Sequence, residues 1–583
     1  MPSAQPNKCP KCQKCFKKFS LEELKGSVAL SRFAACVNAS TSAAYNMSAR
    51  LYRLEYCRRA GSMNAPAAEP LSGSERAFAG VIAALLALTV VCTVLDLTLS
   101  DHAKKGASWA LTWSVRGSWR ILAAPPPNSA DTDLRCFDGL RVLCMMCVII
   151  EHVCWLTTQA YLADTRRYEM IRSAIDVVLM ANSTLMVQIF FMMSSFLLGH
   201  KLLTMRRRGL RPPFVHTFFD TMFNRIIRIS PSYFLVVWFA GSWWERLGRG
   251  PLWPPLVGNE SAICQAKWWT HLLYLNNVLY ADDKCLIQTW YLAADMQLYA
   301  LALLLTLALW RLRRGALCVL VALLVASVAL LFGLAYHWQL VPTFVMHSPE
   351  LVRATYKGES SFNVMYQSPL SNAPGALAGL LLAHLHHYLL DNHITLHHYR
   401  VFRWVSVGGV PLAAWWMAAS PLLPGRGPPS RAAAAALAAF ERPVFALFGS
   451  LALLGALHGV QSPVRRFLSW SGWSCFARLS FGALLLHMPI NKSLVAARLA
   501  PAQLDRQTAV VEWFGVCAIS YLAALPLALM VEIPALRLHR TITGFLRSSS
   551  EVTTNNNITA ITTAPQKTQH NTTKTGTQDK ADI

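Results

Sequence analysis

Arg141, Glu151 and His152 lie inside one apolar run, DGLRVLCMMCVIIEHVCWLTTQAYL, between Asp138 and Leu162. The run is long enough to cross a bilayer, which takes about 20 apolar residues. Ionisable groups at that depth cost roughly 3 kcal/mol or more in lipid, so they face a bundle interior and mark a site. On a helix, Arg141 and His152 are about 1100° apart, some ~20° past three full turns, and about 16 Å apart along the axis. They therefore share a stripe with Met145 and Val148 between them, while Glu151 falls ~80° away. Such a stripe can anchor an anionic group at the mouth of a tunnel and accept a proton deeper inside. A neutral, hydrogen-bonded imidazole is what a membrane interior tolerates, and it is also what a general base requires. The same pattern fits a buried polar pair that only fixes helix packing.

Further ionisable groups sit at other spans. Arg225 and Arg228 are one turn apart where NRIIRISPSYFLVVWF begins from Asn224. They suit either interfacial snorkelling or the holding of an anion such as a phosphate. Asp295 and Gln297 follow Thr289-Trp290-Tyr291, and Arg478 and His487 lie in a later span. The connection from about Glu245 to Gln288 holds Cys264, Cys285 and an N-x-S sequon at Asn259, which predicts a luminal disulfide and glycosylation. Cys9, Cys12 and Cys15 have metal-ligand spacing but no evident fourth ligand. His384, His386, His387, His393, His397 and His398 are read as a solvated interfacial face. No metal site is therefore expected.

The elements that must position these groups are membrane helices. The chain of 583 residues is 54% hydrophobic and only 14% charged, against about 25% charged in soluble domains. Its net charge of +24 would suggest nucleic acid in a soluble chain. Here the Lys and Arg residues fall mostly in short connections between apolar runs, where they set topology. The fold class is all-α, a polytopic bundle of about 11 transmembrane helices. An N-terminal Cys-containing region (1–77) precedes an anchoring span (78–99), a basic linker (100–130), a main membrane domain (131–545) and a Thr/Asn/Lys-rich tail (546–583) read as disordered. Basic connections at 100–137, 200–222, 311–315, 391–403 and 460–476 alternate with less basic ones, and the positive-inside rule makes that side cytoplasmic. Residues 1–77 are then luminal despite being basic, because long tails obey the charge rule poorly.

DGLRVLCMMCVIIEH, FFMMSSFLL, RIIRISPSY, WWTHLLYLNNV, TWYLAADMQ and FLSWSGWSCFARLSFGALLLHMP occur in that order. Together they resemble the acyltransferase-3 superfamily, specifically its nose-resistant-to-fluoxetine branch, over roughly residues 75 to 545. The resemblance implies a bundle of about ten helices, here preceded by the anchoring span and by a luminal region whose cysteines would include Cys36 and Cys57. It implies that His152 is the general base and that Arg141, Arg225 and Arg228 hold an anionic donor, with Ser194, Trp290, Tyr291 and Asp295 lining the site. This sequence departs from the family pattern at several positions. Gln188 stands where Asp is common, Ser195 where Gly is, Ala294 where Asn is, and Glu151 where a small residue flanks the His. In the YxKPxxR-like segment, YQSPLSN, Ser368 and Asn372 take the places of basic residues.

The expected function is acyl transfer from acyl-CoA to a hydroxyl of a lipid, sugar or other small acceptor, with no bound cofactor. The expected partners are membrane lipids, the acyl donor and the acceptor, and no nucleic acid. The expected location is the endoplasmic reticulum or plasma membrane. The alternative is a transporter of lipids or xenobiotics that uses the same fold without catalysis. A seven-helix receptor is excluded by the number of spans and by the intramembrane Arg and His.

Overall fold

The computed structural model describes residues 27–50, 70–106, 109–125, 134–171, 174–211, 213–312, 315–342, 351–352, 354–423 and 430–543. The CPKCQKC motif, Cys57 and the C-terminal tail lie outside these residues. Cys36, on helix Ser27–Tyr45, is disulfide-bonded.

The principal helices are α1 (Gly73–Thr98), α2 (Cys136–Thr157), α3 (Met186–Arg207), α4 (Phe214–Ser242), α5 (Asn259–Leu272), α6 (Trp290–Ala308), α7 (Gly315–Trp338), α8 (Pro369–Asp391), α9 (Arg400–Ala419), α10 (Arg431–Leu457), α11 (Trp473–Ala497) and α12 (Arg506–Leu527). Among the described residues, 9 helical stretches are long and apolar enough to span a membrane. The long helices α4 and α8, which carry more charged or polar residues, are not among these nine. The architecture is an all-α polytopic membrane bundle.

α1 is the anchor that its uninterrupted apolar run predicts. Ser72 and Glu75 form a reciprocal capping box, and Glu75 also takes Arg246 Nε at 2.5 Å, which ties the start of α1 to the bundle. Its outer residues, such as Val90 and Leu97, remain exposed, as lipid-facing positions must be. α2, by contrast, is buried along its length between α3, α11 and α12.

Two close approaches set how the helices lie against one another. A Cβ on Gly139 of α2 would come 2.3 Å from Leu468 O, and one on Gly379 of α8 would come 2.1 Å from Met192 O of α3. Only glycine permits either contact.

Two expectations are corrected, at Arg225 with Arg228 and at the α8 histidines. α4 begins at Phe214, eleven residues before Arg225, so Arg225 and Arg228 lie inside the helix and not at its interfacial start. Arg478 does not enter the central site. It donates to the carbonyls of Ile121, Leu122 and Ala124 at 2.6–2.8 Å, satisfying the end of helix Val115–Ala123. His384, His386 and His387 are buried in α8 and are not a solvated face. His386 and His387 meet His458 and His200 at 3.2 and 3.1 Å. Among the described residues no group of three or more His, Cys, Asp or Glu is arranged to hold a metal.

Candidate acyl-transfer site

α2 and α11 pack so that two histidines meet. His152 Nδ1 lies 3.0 Å from His487 Nε2, with ring centroids 5.1 Å apart. His487 Nδ1 in turn lies 2.9 Å from Leu484 O and 3.1 Å from Ala483 O. Carbonyls only accept, so the hydrogen of a neutral His487 is on Nδ1 and its Nε2 is an acceptor. His152 must then donate from Nδ1, which puts its own lone pair on Nε2. A second residue thus sets the tautomer, as an oriented base requires. Glu151 Oε2 is 3.4 Å from that Nε2, so in this tautomer the carboxylate and the lone pair face each other as two acceptors.

The local sequence explains how α11 is held at this level. Pro489, two residues after His487, has no N–H, which frees the carbonyl of Leu485. Gln288 Nε2 takes that carbonyl at 3.0 Å, joining α11 to the segment that leads into Trp290 and Tyr291. Asn491 donates to His152 O at 3.2 Å. His487 and Asn491 are one turn apart, so a single face of α11 grips α2.

The cations gather elsewhere along the bundle. Arg225 of α4 pairs with Asp295 of α6, donates to Ser194 Oγ of α3 at 3.0 Å, and sits 3.8 Å over the Tyr299 ring. Arg228 is exposed, and Arg141, Arg225 and Glu532 all act on it through space. Arg141 also lies 3.6 Å from Asp138. Tyr291 is within electrostatic reach of Asp295, Arg225 and Arg141. One cluster therefore unites Arg141, Arg225, Arg228, Ser194, Tyr291 and Asp295. Trp290 belongs to an aromatic wall instead, 4.9 Å from Tyr366, with Phe362, Tyr356 and Trp155 continuing it towards His152.

The departures from the family pattern fit one another. Gln188 Nε2 donates to Asn372 Oδ1 at 2.7 Å, so a neutral amide pair replaces two ionisable positions. Asn372 also accepts from Arg442 Nη1 of α10 at 2.9 Å, which places a buried cation beside the neutralised position. Ser368 caps α8, accepting from Ser371 N at 3.2 Å. Sequence reasoning missed His487, Glu532 and Arg442 as site residues. The first could have been found by the rule that picked out His152, since it too is titratable within a span. Glu532 and Tyr366 lie in π-helical turns, which recur at functional sites.

At the end away from the basic connections, the predicted Cys264–Cys285 disulfide is formed. It closes α5 onto the segment preceding α6. Reduction is expected to lower the stability of this end by about 2–4 kcal/mol, read as an earlier thermal transition in tris(carboxyethyl)phosphine; an unchanged transition would contradict this. Lys267 of α5 donates to the carbonyls of Asn276, Tyr280 and Asp283 at 2.7–2.9 Å, and burial lowers its pKa to about 8. Burial, and then the Lys267 cation, lower the pKa of His271 from 6.5 to about 3. The unfolded chain takes up that proton first, so the contribution is complete above about pH 6.5 and is lost as pH falls towards 3. At pH 5 the loss is about 2 kcal/mol. His271→Gln should show a smaller drop in thermal stability between pH 7.5 and 5 than wild type.

Glu260 of α5 pairs with Lys492 of α11 and accepts from Leu286 N at 2.8 Å, with both ions buried. Lys492→Met alone is expected to cost about 3–5 kcal/mol by stranding Glu260, and Glu260→Met with Lys492→Met to recover most of it. A double variant as unstable as the single one would count against this account.

An all-α bundle with ionisable groups gathered in its interior defines the class: a polytopic integral-membrane protein. The family model described as "Acyltransferase domain", of the acyltransferase-3 type, matches residues 134–529, and the chain belongs to that family. It is similar to "Nose resistant to fluoxetine protein 6" of Caenorhabditis elegans, 25% identical over 381 residues, covering 61% of this chain and 45% of that protein. It is also similar to "Regulator of hypoxia-inducible factor 1" of Caenorhabditis elegans, 24% identical over 237 residues, covering 38% of this chain and 44% of that protein. The matches thus span less than half the length of these relatives. No solved structure matches.

Proposed function

We propose that the protein transfers an acyl group from acyl-CoA to a hydroxyl of a lipid, sugar or other small acceptor. The observation that carries this reading is the His487–His152 contact, which leaves a lone pair on His152 Nε2. That nitrogen takes the acceptor's hydroxyl proton as the oxygen attacks the thioester carbonyl. The C–S bond then breaks, and the imidazolium returns its proton to the departing thiolate. Arg141, Arg225 and Arg228 hold the anionic donor at the basic, cytoplasmic side, with Ser194, Tyr291 and Asp295 fixing Arg225 and Trp290 lining the acceptor's approach. Neither a bound cofactor nor nucleic acid has a part in this scheme. Label transfer from radiolabelled acyl-CoA, in endoplasmic-reticulum and plasma-membrane fractions, tests it. Wild-type product that vanishes in His152→Ala supports the reading, and equal product from both overturns it.

One observation favours a second reading. Glu151 faces the lone pair that the acceptor must reach, which suits a carrier of lipids or xenobiotics that performs no chemistry. Uptake into reconstituted vesicles that survives His152→Ala, without acylated product, distinguishes that case.

A further inference from the structure

α2 separates two environments. Arg141 belongs to the cation cluster, while its neighbours Leu140, Leu143 and Cys144 line a cavity of about 260 Å³ between α2, α9 and α10. The cavity reaches Ile189 of α3 and is walled by side chains such as Val410, Ala413 and Leu453. Its polar side chains are Ser406, Ser462 and Arg465, so almost the whole lining is hydrocarbon, with one cation. An apolar void of this size is costly when empty, because its walls lose contact partners.

Charge and depth are also asymmetric. Arg465 lies in the 460–476 connection, one of the basic segments, and Arg400, Arg403 and Arg466 are exposed at the starts of α9 and of helix Pro463–Leu468. Trp404, Phe467 and Trp470 are more than half exposed in the same segments, the usual signature of headgroup depth.

We propose that this cavity is a lipid site, holding one acyl chain of an anionic glycerophospholipid from the cytoplasmic leaflet, with the phosphate at Arg465. The slot supplies the hydrocarbon surroundings that the chain requires, and the arginines select an anionic headgroup over a zwitterionic one. The site lies on the wall of α2 away from the Arg225 cluster, and it stands whether or not acyl transfer occurs.

The test uses the full chain in phosphatidylcholine nanodiscs doped with phosphatidylserine carrying a diazirine in its acyl chain. Photolabelled positions are then mapped by peptide mass spectrometry. Label is expected on the segments around Leu143, Val410 and Leu453. Unlabelled phosphatidylserine should compete it away, and phosphatidylcholine should not, a readout that needs no variant. Arg465→Gln should lower labelling about fivefold, the effect of one arginine at a membrane surface. Ala413→Phe should abolish it by filling the slot. Equal labelling by a diazirine phosphatidylcholine overturns the proposal. So does competition by acyl-CoA but not by phosphatidylserine, which would make the cavity a donor site.

Discussion

His152→Ala is expected to lower the rate of acyl transfer by about 10²–10⁴-fold, the range that a positioned general base contributes. The variant should still extract from membranes as a monodisperse protein with its Cys264–Cys285 bridge intact, because His152 is held by α11 and not by the disulfide-bearing end. The contact with His487 sharpens the expectation. His487→Phe keeps the ring volume but removes the acceptor for His152 Nδ1–H, so both tautomers of His152 become available. Its kcat should fall roughly 10–100-fold with little change in KM, as for other orienting partners of a functional histidine. A His487 variant that changes KM alone would show that the pair only packs the helices. Glu151→Gln separates two roles of Glu151 within the acyl-transfer reading. If Glu151 competes with substrate for His152 Nε2, its removal raises kcat; if it helps to orient the base, kcat falls.

The second large effect is expected at Arg225 and Asp295. Asp295 is buried and Arg225 largely so, on different helices, so removing one partner strands the other. Asp295→Asn leaves a guanidinium that cannot shed its charge, at an expected cost of about 3–5 kcal/mol. Arg225→Gln keeps an amide donor beside the Asp295 carboxylate, so its loss should be smaller. The double variant should approach wild-type stability but not wild-type activity, because the donor-holding cation is gone. Thermal alkylation of buried thiols such as Cys144 and Cys517 reports the stability of each form. The KM for acyl-CoA, expected to rise by about tenfold or more without Arg225, reports the binding role. Asp295→Asn with unaltered stability would contradict the account of the pair.

Much of the candidate site was legible because lipid makes buried charge conspicuous. Arg141, Arg225, Arg228 and Asp295 stood out within or beside apolar runs, and the fold does gather them. The Cys264–Cys285 bridge was legible for a similar reason, as the cysteine pair of one non-membrane connection. The histidines of α8 misled, since a dense His run near a helix end resembles a wetted face until its neighbours His200 and His458 are known.

The amino-acid sequence by itself determined the class of the protein, its run of spanning helices and the stripe that carries Arg141 and His152. Each depends on composition and on the helical period, which are local properties. The tertiary structure alone decided which groups meet. His487 comes to His152 from 335 positions away, Arg442 reaches Asn372 from 70, and Gln288 fills the carbonyl that Pro489 frees. The physical reason is that apolar periodicity orients a helix towards the bundle without setting its height against its neighbour. That height is set where backbones touch, at Gly139 against Leu468 and at Gly379 against Met192.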